Sequence, residues 1–293
     1  MKNRVLAMRL AAMIGVAVFS GTVLAEADGA EGQPQVAVST QDEEYSLIQE
    51  EGTVIAGDGY TIEINWCGEE GKRVFGRTYY PADFDKTQKY TTIVMNHGGS
   101  ITADIWDKYY APTLAKNGYI CYAFDCRSSG AGGRGSFSDP AENDRSSVET
   151  YSEDLNAALD FMEAKEYVDL DHLYLMGQSM GGVTVQNVAA HRPEEIAGVI
   201  VLYGSIGDDN GGMVPDYEWL KEHPYNNGEV LFVQGTNDNT LTPERTIENM
   251  SWYELTHFVL INQAAHGFGF TGDRPAQICT ENVIDFIERT SEE

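Results

Sequence analysis

From residue 60 onward the apolar positions change their period in a set order, and that order predicts a sheet flanked by helices. Residues 60–66 alternate, with Ile62 and Ile64 on one side and Thr61, Glu63 and Asn65 on the other. Residues 73–80 follow the turn at Gly71 and stop at Pro81. A period of two between turn residues reads as antiparallel strands at a sheet edge. From Tyr90 the pattern becomes strand then helix, repeatedly. Short apolar runs fall at 91–95, 119–124, 173–176, 199–203, 230–233 and 257–261. Between and after them, 104–116, 148–163, 180–191 and 277–288 read as helices; 148–163 sets Tyr151, Leu155, Leu159 and Met162 at helical spacing. Thr242-Pro243-Glu244 starts a further helix. Strands that are apolar on both sides need helices above and below a parallel sheet. In such sheets ligands bind at the carboxyl ends of the strands.

The stretches before residue 60 follow other rules. Lys2, Arg4 and Arg9 precede an apolar run from 10 to 24, and Val23-Leu24-Ala25 offers small residues for a signal peptidase. That run falls short of the ~20 residues that cross a bilayer. Residues 1–25 therefore read as a cleaved signal peptide of a secreted or periplasmic protein, with an uncleaved membrane anchor as the alternative. Residues 26–44 are Gly-, Gln- and acid-rich and read as a flexible leader. Residues 45–293 form one domain.

Charge and cysteine content narrow the partners. The formal net charge is −27, and losing the three cations of the signal region lowers it to −30. A field of that sign disfavours nucleic acid and anionic membrane surfaces. Cys67, Cys121, Cys126 and Cys279 are too scattered for a disulfide scaffold, and Cys121 reads as a buried small hydrophobe. No Cys/His cluster has metal-ligand spacing.

The residues that carry chemistry stand at strand ends. Gly177-Gln178-Ser179-Met180-Gly181-Gly182 lies between a strand and a helix, the context that turns a G-x-S-x-G match into a nucleophile elbow. A serine hydroxyl needs a base to take its proton. His266, past the last strand and before the last helix, fits the order Ser…Asp/Glu…His. Asp238, beyond the run 230–233, is the carboxylate expected to orient that imidazole, with Asp208 or Asp209 as the fallback. Oxyanion donors are expected from the N–H of Met180 and from the loop after residues 91–95, Gly99 first and Gly98 next. His97 in that loop reads as a brace or a substrate contact. The loop 125–138 is rich in Gly and Ser but lacks the Lys-Ser/Thr pair of a phosphate loop. Within it Asp125 and Arg127 brace the loop, or Arg127 meets an acidic substrate group.

These pieces, with Phe124-Asp125-Cys126-Arg127 and Gly235-Thr236-Asn237-Asp238, make residues 60–288 resemble the α/β-hydrolase superfamily. The chain looks most like bacterial cinnamoyl/feruloyl-type esterases and is also similar to catalytic domains of prolyl-oligopeptidase-like enzymes. The resemblance implies an α/β-hydrolase fold: a mostly parallel, eight-stranded sheet, helices on both faces, a Ser179–Asp238–His266 triad and no cofactor. Two features depart from it. Only 26 residues separate Tyr203 from Val230, so the lid at 205–228 is small. The stretch 128–133 also lacks the G-H-G-x-S frequent in the family. The expected activity is hydrolysis of a small-molecule carboxylic ester. The competing reading is a serine peptidase, with Asp208, Asp209 and Asp216 as candidates to hold a substrate amine. A binding protein that has lost catalysis would lack a triad member, and none is missing.

Overall fold

The computed structural model describes residues 36–37 and 48–291, apart from 131–134, 143–146 and 270–271. The expected signal peptide, most of the expected leader and the middle of the Gly/Ser loop lie outside the described residues.

The first strands are β1 (Val36–Ala37), β2 (Val54–Ala56), β3 (Tyr60–Cys67), β4 (Val74–Pro81) and β5 (Tyr90–Asn96). Helices α1 (Asp104–Asp107) and α2 (Tyr110–Lys116) lead to β6 (Ile120–Phe124), α3 (Val148–Glu163), β7 (Val168–Gln178) and α4 (Met180–His191). The chain continues through β8 (Gly198–Leu202), α5 (Tyr217–Glu222), β9 (Glu229–Gly235), α6 (Pro243–Met250), β10 (Thr256–Ile261) and α7 (Arg274–Ser291). The strands form one sheet in the order β1-β2-β3-β4-β6-β5-β7-β8-β9-β10. From β6 to β10 every pairing is parallel, whereas β2–β3, β3–β4 and β4–β6 are antiparallel.

The pleat divides the core. Ile93, Met95, Tyr174 and Met176 face Trp106 and Leu114 of α1 and α2 and Val283 and Ile287 of α7. Their neighbours Val94, Leu173 and Leu175 face Tyr151, Leu155 and Leu159 of α3 and Val185 and Val188 of α4. The helices of the parallel half thus sit on opposite faces, as its apolar strands require.

Three expectations are corrected. The sheet has ten described strands, not eight, because β1 and β2 extend the edge beyond β3. They hold two and three residues, too few for a period of two to show. The single helix expected at 104–116 is two helices, broken around Lys108 and Tyr109. Pro112 explains the break: its ring would collide with the carbonyl of residue 108 in a continuous helix, but it is tolerated in the first turn of α2. Strand β7 begins at Val168 rather than 173, its first half masked in sequence by Asp169, Asp171 and His172.

The expected lid, residues 205–228, is a 3₁₀ turn (Gly211–Met213) followed by α5. Its Ile206, Val214 and Leu220 pack on Val148, Val183 and Ala190, with Met180 at the margin. Asn249 Oδ1 accepts the Ile206 N–H at 2.9 Å and so pins the start of the lid to α6. All four cysteines are buried free thiols. No helix among the described residues is long and apolar enough to cross a membrane.

Candidate active site

Strand β7 delivers Ser179 at its carboxyl end and α4 departs at once. Such an abrupt reversal forces the serine to φ +50°, a left-handed conformation costly for a residue with a Cβ. Its surroundings must be small. A Cβ on Gly181 would lie 2.2 Å from the Asn96 carbonyl oxygen, so β5 and α4 can approach here only through glycine. Ser179 N–H is held by the Leu202 carbonyl at 3.0 Å, which ties the turn to β8.

Two loops bring the other polar groups to this point. His266, on the loop after β10, has Nε2 2.9 Å from Ser179 Oγ. Its Nδ1 lies 2.8 Å from Asp238 Oδ2. An ionised carboxylate only accepts, so the proton sits on Nδ1 and Nε2 is left to accept from the serine hydroxyl. Asp238, on the turn after β9, is fully saturated. Its Oδ1 accepts the backbone N–H groups of Thr240 (2.8 Å) and Leu241 (2.9 Å). Its Oδ2 also accepts from Gln234 Nε2 at 2.9 Å. Burial alone would raise its pKa, but the bonds from His266, Leu241, Thr240 and Gln234 hold it below the ordinary 3.8.

That depression has a sign in stability. Folding favours the ionised form, so Asp238 contributes stability that is present above 3.8 and lost as pH falls through its lower folded value. The Tm gap between wild type and Asp238→Asn should therefore be widest near neutrality. It should begin to narrow only as pH falls below 3.8 and close once pH has passed the lower folded value, where wild type also carries a neutral side chain; a gap that does not narrow below 3.8 would contradict this.

The N–H of Met180 opens α4 and has no partner within the helix. Gly98 lies opposite the serine: a Cβ there would be 3.1 Å from Ser179 Cβ and 3.3 Å from the Gln178 carbonyl oxygen. Gly99 follows, with the Met180 side chain against it. Gly98 thus faces Ser179 itself, and Gly99 packs on Met180, the residue after it. Gly98→Ala should lower kcat roughly ten- to a hundredfold by pushing this loop off the serine; unchanged kcat would show that the loop does not need this approach.

His97 and Arg127 do not reach the site. His97 is completely buried, and its Nε2 accepts the Cys126 N–H at 3.0 Å. Its Nδ1 therefore carries the proton and donates to the Gly98 carbonyl at 2.7 Å, bracing the loop. Arg127 is 3% exposed; its guanidinium pairs with Asp154 and with Glu153 at 2.6 Å, and so is not available to a substrate. Burial pushes the Asp154 carboxyl up to about 6 despite those bonds from Arg127. Arg127→Met, which strands Asp154, should cost about 3 kcal/mol of stability in denaturant melts and leave the preference between neutral and anionic esters unchanged.

Two of the three candidate acids at 205–228 are occupied. Asp208 accepts from Tyr217 Oη at 2.5 Å and Lys221 Nζ at 3.0 Å, and Asp209 pairs with Arg245. Asp238, not either fallback, meets His266. Two clefts, of 610 Å³ beside Arg73 and Asp139 and of 760 Å³ beside Tyr217 and Trp219, contain no triad residue. The convergence of polar groups marks the site better than cleft volume does. Among the described residues no cluster of His, Cys, Asp or Glu could hold a metal ion. Gln234 and Tyr203, which both touch this constellation, were not singled out from sequence. The signal available was a polar or aromatic residue at the carboxyl end of an apolar strand.

The fold is the α/β-hydrolase fold. The family model for the alpha/beta hydrolase fold matches residues 91–229. The uncharacterized protein YcjY of Escherichia coli (strain K12) is 30% identical over 111 residues, 38% of this chain and 34% of that protein. Dipeptidyl-peptidase 5 of Schizosaccharomyces pombe is 28% identical over 151 residues, 50% of this chain and 21% of its own length. The matches thus span about a third and about a fifth of these curated relatives. Among solved structures, Est1E from Butyrivibrio proteoclasticus with ferulic acid bound superposes with a TM-score of 0.62 at 16% identity, covering 76% of this chain and 99% of that one. The chain resembles both esterase- and peptidase-type α/β hydrolases.

Proposed function

We propose that this protein is a serine hydrolase that cleaves small-molecule carboxylic esters through an acyl-enzyme, using Ser179, His266 and Asp238. The observation that carries the reading is the unbroken relay of 2.9 and 2.8 Å from Ser179 Oγ through His266 to Asp238. Ser179 Oγ attacks the acyl carbon as its proton passes to His266 Nε2. The tetrahedral oxyanion takes hydrogen bonds from the N–H of Met180 and from the loop of Gly98 and Gly99. His266 returns the proton to the leaving alcohol, then takes one from water, which attacks the acyl carbon. The acid is released and the proton goes back to Ser179. Asp238 keeps the imidazole in its tautomer and stabilises the imidazolium throughout. The cycle needs no cofactor.

The second reading, a peptidase, is favoured by the likeness to dipeptidyl-peptidase 5. Against it, Asp208 and Asp209 are neutralised by Lys221 and Arg245, which leaves them poorly suited to a substrate's amino group. Matched aminoacyl esters and amides separate the two: ester turnover should exceed amide turnover by far, and equal rates would favour the peptidase. We also propose that residues 1–25 direct export, so that the mature chain begins at Glu26. N-terminal sequencing of exported protein tests this, and a chain still starting at Met1 in the membrane fraction would refute it.

A further inference from the structure

We propose that Tyr203 is the positioning residue that fixes the tilt of the His266 imidazole and links it to the strand that carries Ser179. The inference rests on the triad reading above and adds to it a residue outside the triad. The two hydrogen bonds of His266, from Nδ1 to Asp238 and between Nε2 and Ser179, both lie in the plane of the ring. They fix where the two nitrogens sit, yet leave the ring able to swing about the line joining them. A side chain packed against the ring resists the swing.

Tyr203 is such a side chain. It immediately follows β8, at the same sheet edge as Ser179, and is 1% exposed. Its ring lies 5.1 Å from the His266 ring at 72°, an edge-to-face contact of favoured geometry. It also packs 4.8 Å from Phe268, two residues beyond the histidine. Its hydroxyl donates to Gln178 Oε1 at 2.5 Å, and Gln178 is the residue before Ser179. One side chain therefore touches the base, the loop that carries the base and the neighbour of the nucleophile.

The backbone supports the same role. Tyr203 adopts φ +38°, a region that glycine enters freely and tyrosine does not. Its N–H is bonded to the Val233 carbonyl at 2.8 Å, so the unfavourable conformation is locked between β8 and β9. Like Ser179, it is a strained residue at the carboxyl end of a parallel strand. Strain of this kind persists where the surroundings over-determine it, and it gathers at functional sites.

The test combines steady-state kinetics on p-nitrophenyl butyrate with ¹⁵N spectra of the histidine rings, using wild type, Tyr203→Leu and Tyr203→Phe. Tyr203→Leu removes the ring contact. It should lower kcat by roughly thirtyfold or more with KM within about twofold, since a misaligned base harms the transition state and not ground-state binding. The His266 Nδ1–H resonance should broaden or shift. Tyr203→Phe keeps the ring and loses only the hydroxyl's bonds, to Gln178 Oε1 and, at 3.4 Å, to the Phe268 carbonyl, so it should retain kcat within about fivefold and show a smaller change in the same resonance. A folded Tyr203→Leu with wild-type kcat and an unchanged His266 resonance would overturn the proposal. If Tyr203→Leu does not fold, Tyr203→Phe decides alone, and a spectrum and kcat identical to wild type would refute the anchor. Failure of wild type to turn over any ester would sink the esterase reading, whereas the ring spectra would still decide the role of Tyr203.

Discussion

Replacing Ser179 with alanine is expected to abolish ester turnover, by about 10⁵-fold or more in kcat, while leaving the fold intact. The size follows from the division of labour. Without Oγ no acyl-enzyme forms, and His266 can at best activate a poorly placed water. What survives is the contribution of the oxyanion donors and of substrate binding. The structural cost is small because alanine inherits the same left-handed backbone at φ +50° and loses only the hydrogen bond to His266. Tm should move by a few degrees at most. A Ser179→Ala protein that keeps even a tenth of wild-type turnover on p-nitrophenyl acetate would remove the serine from the reaction.

The second large effect belongs to Asp238→Asn, with an expected loss of about 10⁴-fold in kcat. Oδ1 accepts two backbone N–H groups, from Thr240 and Leu241, so the amide oxygen must occupy that position. The amide NH₂ is then left facing His266 Nδ1 and Gln234 Nε2, where a double acceptor stood. A donor there forces His266 into the tautomer protonated on Nε2, which cannot accept the proton of Ser179. The exchange thus blocks the base without moving it. Ring ¹⁵N shifts should report the change of tautomer, and an Asp238→Asn protein that retains the Nδ1–H form and full kcat would contradict the role assigned to the carboxylate.

Sequence periodicity carried most of the architecture because the signals it depends on were strong. The apolar spacing of 148–163 and the elbow before Met180 locate α3 and α4 at the residues where they occur. Periodicity fails where a residue outside the pattern decides the geometry. Pro112 breaks a helix whose apolar spacing continues through it, and the polar first half of β7 conceals a strand that Tyr90 and Val168 nonetheless pair. The candidate triad was legible because each member is a chemically distinctive residue at the end of a strand. Tyr203 was not, because its role comes from contacts with segments far apart in sequence; Gln234 lies only four residues before Asp238, but a glutamine ending an apolar strand carries no distinctive chemical signal. Arg127 illustrates the reverse. As a cation in a glycine-rich loop it invites a substrate role, and only Asp154, 27 positions away on α3, shows that its charge is already matched.

The central claim is that Ser179 is the acylated nucleophile of an active hydrolase, and labelling of the folded wild-type chain with a fluorophosphonate probe tests it most directly. Peptide mass mapping should find one adduct, on Ser179, formed in step with the loss of ester turnover and absent from Ser179→Ala. Full loss of turnover with the adduct on another serine, or an active protein that the probe never labels, would contradict the account.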